Sequence, residues 1–399
     1  MIGDTKFLSH HKSIDSDSID RWRASGGYKL SDMTKKTSFK LGYKIENLLN
    51  TNDSIEIKNI AQADSYALSS SQRRLWVLSR FDGGNSAYNI SGVYLLKGDL
   101  NKDALRMALD TLVNRYEILR TVFDTNKHGE IRQFIKEHTE EFNLVETDLR
   151  TYEDNQDRAH KIIQSRSEHY FDMTNGPLFL ADLIQLRNNE WVFIYTMHHI
   201  ISDGWSMGIL IKEILTLYNA YNRKEENPLT PLKIQYKDYA AWQQEQLEGN
   251  NLLKHRAYWI EQFAEEASAL ELPIDRIRPA IRTYNGGYLR KSLGKEASNG
   301  LKKINASEGS TLFMSLLATV NVLLYKLSGQ SDITIGSPIA GRNNPELENQ
   351  IGFFINTLAL RTKFNAEGTY LELLQHVRNV CLGAYEHQIF PFDELVDEL

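Results

Sequence analysis

The chain has 399 residues, 41 % of them hydrophobic and 10 % aromatic, which is enough apolar material for two or three domains or one large two-lobed unit and excludes wholesale disorder. Lys and Arg number 46 against 52 Asp and Glu, a net charge of −6 that leaves no basic surplus for nucleic acid. The single cysteine, Cys381, rules out an internal disulfide, a CxxC redox pair and a cysteine-rich zinc site, and points to the cytoplasm.

Residues 1–62 are rich in Ser, Asp, Lys and Asn without a sustained apolar period, and read as a linker or the remnant of an upstream module. Met1 to Asp20 carries no basic patch followed by an apolar run, so no signal peptide is visible. Beyond Tyr66, helix-period and strand-period segments alternate to Leu399. Ala104, Leu105, Ala108, Leu109, Leu112 and Val113 give Leu100–Phe123 the spacing of an amphipathic helix. Trp191 to Ile200, WVFIYTMHHI, predicts a buried strand. Helical period returns over Gly204–Asn222, with Asp203 or Ser206 able to cap the first turn. Tyr236–Gln246 reads as helix and Leu272–Gly287 as irregular, which places a lobe boundary near 245 to 275. Thr311–Leu327 is apolar but interrupted by Ser315, Thr319, Asn321 and Lys326, and predicts a buried helix rather than a membrane span. Ile333–Pro338 and Phe353–Arg361 predict strands around a loop containing Gly341, Asn343, Asn344 and Pro345. The result is an α/β chain of two similar-sized lobes.

The densest polar constellation is HHIISDG, with His198, His199, Asp203 and Gly204 at a strand end and the following turn. Side chains alternate across a strand, so His198 and His199 point to opposite faces and do different jobs. One is held in the packing through a ring hydrogen bond; the other projects into a cavity. An imidazole can accept a proton from an amine or hydroxyl near neutral pH, and Gly204 lets the backbone turn closely. Three other readings compete with this one. A metal site lacks a third ligand nearby, and a Ser-His-Asp hydrolase lacks a GxSxG elbow. Two satisfied core histidines beside a capping Asp203 would be the bland alternative. Trp76, Trp205 and Trp242 read as core residues.

HHIISDGWS resembles the HHxxxDG signature of the condensation domains of nonribosomal peptide synthetases, which belong with the chloramphenicol-acetyltransferase-like acyltransferases. Five further segments resemble that family's ordered motifs: SSSQRRLW (Ser69–Trp76), NRYEILRTVF (Asn114–Phe123), YKDYAAW (Tyr236–Trp242), IGFFINTLALR (Ile351–Arg361) and HQIFPFDEL (His387–Leu395). Ser71, Tyr116 and Ile389 depart from the usual alanine, histidine and aspartate. The resemblance implies two chloramphenicol-acetyltransferase-like lobes, residues 63–245 and 246–399, in a V-shaped pseudo-dimer. The C-terminal lobe would be truncated, because the sequence ends before an RDxSRNPL-like segment. Residues 1–62 would then be a linker or a degenerate carrier-protein remnant, with Asp17-Ser18-Ile19 similar to a phosphopantetheine attachment segment.

The implied activity is peptide-bond formation between a carrier-bound acyl or peptidyl thioester and a carrier-bound aminoacyl acceptor. His199 is expected in a tunnel between the lobes as base or positioning group, while His198 and Asp203 shape the loop and Arg342, in GSPIAGR, pairs with Asp203. Arg120, Asn356 and Trp205 are further candidates for substrate binding or structure: Arg120 as an ion pair, Asn356 as a tunnel residue or an anchor between lobes. The resemblance implies no cofactor bound by the domain itself, since phosphopantetheine arrives on partner carriers. The expected partners are an upstream donor carrier, a downstream acceptor carrier and an adjacent adenylation domain, with no nucleic acid and no membrane. The unit itself would be monomeric within a larger multimodular chain. An intact first histidine argues against heterocyclising relatives, and DGWSMGIL lacks the VSW ending of epimerising ones. The alternatives are a free-standing acyltransferase to a small alcohol or amine, using coenzyme A or a carrier, and a non-catalytic docking domain.

Overall fold

The computed structural model describes residues 6–9, 56–81, 84–138, 140–277, 279, 287 and 289–399. The carrier-like Ser18 segment and most of the linker expected over 1–62 lie outside the described residues. Chain contacts divide these residues into two units: one holds those up to Glu245 together with Arg342–Phe354, the other those from Gln246 to Gly341 and Ile355–Leu399, apart from residues near 287.

In the first unit the elements are β1 (Lys6–Ser9), α1 (Ser70–Ser79), the single turn α2 (Gly84–Ala87), β2 (Asn89–Lys97), α3 (Lys102–Arg115), β3 (Thr121–Thr125), β4 (Ile131–Ile135), β5 (Leu144–Asp148), α4 (Asn155–Ser167), β6 (Phe179–Arg187), β7 (Glu190–His198), α5 (Gly204–Asn222) and α6 (Tyr236–Glu248). Five strands form a sheet in the order β1-β2-β7-β6-β5, antiparallel except for the parallel β5–β6 pair. All nine residues of the central strand β7 are buried, because both of its faces are covered. On one face Val192 and Ile194 pack with Ala159 and Ile163 of α4. On the other, Phe193 and Tyr94 meet Leu105 of α3 and Ile211, Ile214 and Tyr218 of α5.

Helix α3 buries all six apolar positions that predicted it, but it is shorter than the predicted 100–123. Asn101 caps its start, and Tyr116 leaves helical geometry at φ −105°, ψ 103°, after which Glu117–Arg120 form a 3-10 turn into β3. The buried Tyr116, the departure from the family's histidine, donates its hydroxyl proton to the Asn349 carbonyl at 3.1 Å.

The second unit contains α7 (Leu253–Gln262), α8 (Lys295–Glu308), α9 (Leu312–Ser328), β8 (Asp332–Ile339), β9 (Asn356–Lys363), α10 (Tyr370–Glu386) and α11 (Phe392–Glu398). Strands β8 and β9 pair antiparallel, and their core unites Leu358 and Leu360 with Leu317 and Ala318 of α9 and Leu374, Val377 and Cys381 of α10. Burial pushes the Cys381 thiol up to about 12, as expected of a packed cysteine. Two expectations are corrected here. Helix α9 is buried on one face only: Met314, Leu317 and Ala318 are buried while Leu312, Leu323 and Leu327 stay about half exposed, with α8 and α10 packed against the helix. Among the described residues no single helix is long and apolar enough to cross a membrane. The strand predicted to begin at Phe353 begins at Asn356, because the backbone of residues 352–354 is committed to partners in the first unit.

Candidate active site

Strand β7 ends at His198, so the alternation of faces stops one residue before His199, which opens a 3-10 turn, His199–Ile201. His198 is fully buried between the rings of Tyr88 and Phe171. Its Nδ1 accepts from the Ile200 amide at 3.1 Å, which requires a deprotonated Nδ1. Burial, with a smaller contribution from His199, pushes its pKa down to about 3. His198 is therefore a neutral packing group at neutral pH. His199 differs: its backbone N–H donates to the Tyr88 carbonyl at 2.8 Å, its residue is only half-buried, and its ring lies edge-on to Phe353 with centroids 4.9 Å apart and planes at 68°.

Asp203 caps α5 and is completely buried. One carboxylate oxygen accepts from the Ser206 amide at 2.7 Å and from Arg342 Nη2 at 3.1 Å; the other accepts from Arg342 Nη2 at 3.3 Å and from the Phe354 amide at 3.1 Å. Arg342 is almost as buried as its partner. Its Nη1 donates to the Leu347 and Gln350 carbonyls and its Nη2 also donates to Ser206 Oγ at 2.7 Å, while the guanidinium lies 4.2 Å above the Phe354 ring. A buried pair holds together only with such additional hydrogen bonds, because removing two charges from water costs several kcal/mol for each ion. Of the two caps the sequence allowed, Asp203 is the one used. Ser206 instead fills all its capacity across the fold: its hydroxyl donates to the Gly352 carbonyl at 2.9 Å and accepts from the Gly352 amide and from Arg342.

The separate sequence motifs meet on this network. Tyr236, at the start of α6, donates to the Phe353 carbonyl at 2.6 Å and pairs with Ser69 Oγ at 2.9 Å. Ser69 and Gln72 form a capping box on α1, and Gln72 Nε2 reaches the Ile200 carbonyl at 3.2 Å, so the first motif buttresses the turn that carries His199. Gly352 must be glycine here, since a Cβ would lie 2.0 Å from the Tyr236 ring. Sequence reasoning missed Ser69, Gln72, Tyr236 and Gly352, and saw Ser206 only as a possible cap. Their only signal was membership in a motif, because the partners lie more than a hundred residues apart.

Other candidates find structural places. Gly204 is the exposed first residue of α5, its φ is not in the left-handed region and a Cβ would meet nothing within 4 Å. The close turn expected at Gly204 is therefore absent, and the space beside it is open. Arg120 donates to the Lys136 carbonyl across the β3–β4 hairpin, so no carboxylate among the described residues holds it in the expected ion pair. Asn356 lies wholly within the second unit. Its Nδ2 donates to the Gln388 and Phe390 carbonyls, both at 2.8 Å, and its Oδ1 accepts from the Thr357 and Phe392 amides. It fastens β9 to the chain before α11. Trp205 donates to the Glu348 carbonyl at 3.0 Å, and it, Trp76 and Trp242 are half-buried rather than core residues.

Fold and site together define a mixed α/β protein whose half-buried His199 stands on a turn leading into a helix that the Asp203 of a buried ion pair caps. The family model described as Condensation domain matches residues 62–399, and the chain belongs to that family. The relatives it resembles include one of the linear gramicidin synthase subunits of Brevibacillus parabrevis, 42 % identical over 348 residues, covering 87 % of this chain and 4 % of that protein. Malpibaldin synthetase of Mortierella alpina is 40 % identical over 341 residues, covering 86 % and 6 %. The chain thus spans less than a tenth of the length of these two relatives. Among solved structures, the X-domain from teicoplanin biosynthesis superposes with a TM-score of 0.78 at 26 % identity, covering 86 % of this chain and 75 % of that one. The first condensation domain of the CDA synthetase shares the fold, with a TM-score of 0.68 at 19 % identity and coverages of 84 % and 80 %.

Proposed function

We propose that this chain forms peptide bonds: the α-amino group of an aminoacyl thioester attacks the carbonyl of an acyl or peptidyl thioester, each delivered on the phosphopantetheine arm of a carrier protein. A C–N bond forms and the C–S bond breaks. The proton lost by the amine goes to His199 or is steered by it, and ends on the departing thiolate. A thioester is already activated, so alignment of two tethered reactants supplies much of the acceleration and proton transfer adds to it.

The observation that carries this reading is the division of labour within HHIISDG. His198, Asp203 and Arg342 are buried, the first in packing and the other two in a shared ion pair, while His199 stays only half-buried on the turn that follows the strand. Membership in the condensation family and likeness to the linear gramicidin and malpibaldin synthetases support the same chemistry. In this proposal residues 63–245 and 246–399 act as the two lobes, donor and acceptor carriers and an adenylation domain are neighbours in a longer cytoplasmic assembly, and no group resident in the domain takes part.

The test is to supply the protein with an acyl-loaded donor carrier and an aminoacyl-loaded acceptor carrier and to follow the product by mass spectrometry. Condensed product on the acceptor carrier is expected. Transfer only to soluble amines or alcohols, with carrier-bound acceptors inert, would overturn the reading in favour of a free-standing acyltransferase.

A further inference from the structure

We infer that Phe353 is the positioning residue for the His199 imidazole, and that Asp203 acts on that imidazole through the backbone of residues 352–354. This rests on the reading of His199 as the working group. Three consecutive residues are pinned from three directions: Gly352 at both its amide and carbonyl by the Ser206 hydroxyl, Phe353 at its carbonyl by the Tyr236 hydroxyl, and Phe354 at its amide by Asp203. A segment fixed at each residue holds its middle Cα–Cβ bond in one direction, and the side chain it carries is the nearly buried ring lying against His199. Asp203 itself has its partners elsewhere, in Ser206, Arg342 and Phe354. Its influence on the imidazole therefore travels along the chain, through Phe354 to Phe353, and not through a direct hydrogen bond.

The same geometry explains why IGFF is not yet part of the sheet at this point. Its hydrogen-bonding groups serve the site in place of a sheet partner, and β9 starts only at Asn356.

The experiment compares Phe353→Ala, Phe353→Leu, Tyr236→Phe and His199→Ala with the parent protein. Two readouts are used: steady-state kinetics with loaded carriers, and NMR titration of the histidine ring resonances, with His199→Ala assigning the His199 signal. A misplaced catalytic group of this kind costs up to about 100-fold in rate. The expectation is that Phe353→Ala lowers kcat by about 10- to 100-fold with KM within about threefold, and broadens or shifts the His199 ring signals. Phe353→Leu, which keeps most of the volume, should recover part of kcat. Tyr236→Phe, remote from the ring but part of the clamp, should shift the same His199 signals. Unchanged kcat and unchanged His199 resonances in folded Phe353→Leu and Phe353→Ala would overturn the inference, and if only the leucine variant folds, its His199 resonances decide. Should His199→Ala turn over normally, the reading of the site itself fails. If it is inactive while both Phe353 variants are fully active, only the positioning role fails.

Discussion

Replacing Asp203 by Asn tests the brace beneath the site. The change preserves shape and removes one charge, and its cost follows from the four hydrogen bonds the carboxylate accepts. All of its partners, the Ser206 amide, Arg342 Nη2 and the Phe354 amide, are donors. An asparagine presents one oxygen and one NH2 group, so in either flip state its NH2 group faces at least one backbone N–H as well as the guanidinium. Arg342 is left as a buried cation without a counter-ion, with side-chain exposure of 2 %. Breaking a buried pair from one side costs about 3–5 kcal/mol. At about 2–4 °C per kcal/mol for a unit of this size, Tm falls by roughly 6–20 °C. The assay is calorimetric or fluorescence-monitored melting of Asp203→Asn, of Arg342→Met and of the double variant. The double variant should recover part of the loss, because it removes the stranded charge, and a coupling of about 1–3 kcal/mol between the sites is expected. Melting of Asp203→Asn within about 1 °C of the parent, or fully additive losses, would refute the reasoning that a mutually dependent ion pair braces the loop.

Acid sensitivity provides a second test. The unfolded chain protonates a histidine near pH 6.5, whereas folded His198 resists protonation until about pH 3, so its contribution makes stability fall as pH drops through that window. By pH 4 the loss from this group is on the order of 3 kcal/mol, and His198→Asn should show correspondingly less difference between urea midpoints at pH 7 and pH 4. The two glycines of the site should diverge. Gly352→Ala forces a Cβ into the buried Tyr236 ring and should cost about 1–3 kcal/mol or more by denaturant titration. Gly204→Ala enters open space at the first turn of α5 and should leave Tm unchanged or slightly raised.

What the sequence disclosed, and what it withheld, follows one physical division. Periodic burial is local, so the helical face of α3 and the strand β7 were legible from Ala104–Val113 and from WVFIYTMH, and Asp203 was legible as a cap from its position before Gly204–Asn222. Long-range hydrogen bonding is not local. Nothing in the sequence between residues 203 and 352 announces that the Ser206 hydroxyl closes on Gly352, or that the Tyr236 hydroxyl takes the Phe353 carbonyl. For the same reason the β9 start was misplaced by three residues: Phe353 and Phe354 have strand-like composition, but their backbone groups are claimed by Tyr236 and Asp203. The Asp203–Arg342 pair came from family resemblance, and the geometry supplies its physical content, two charges buried together and capped by Ser206 and backbone carbonyls. Composition misjudged α9, since an apolar sequence does not reveal that only one face is covered in the fold.

The most direct test of the central claim is a single pair of numbers for His199→Ala, product formation with both carriers loaded and melting temperature, measured on the same preparation. Because His199 is only half-buried and the turn is held by the Tyr88 carbonyl and by Gln72, Tm should stay within about 2 °C, while the rate falls by about 100-fold or more, the contribution typical of a positioned proton-transfer group. Turnover close to that of the parent in a folded His199→Ala protein would contradict the account.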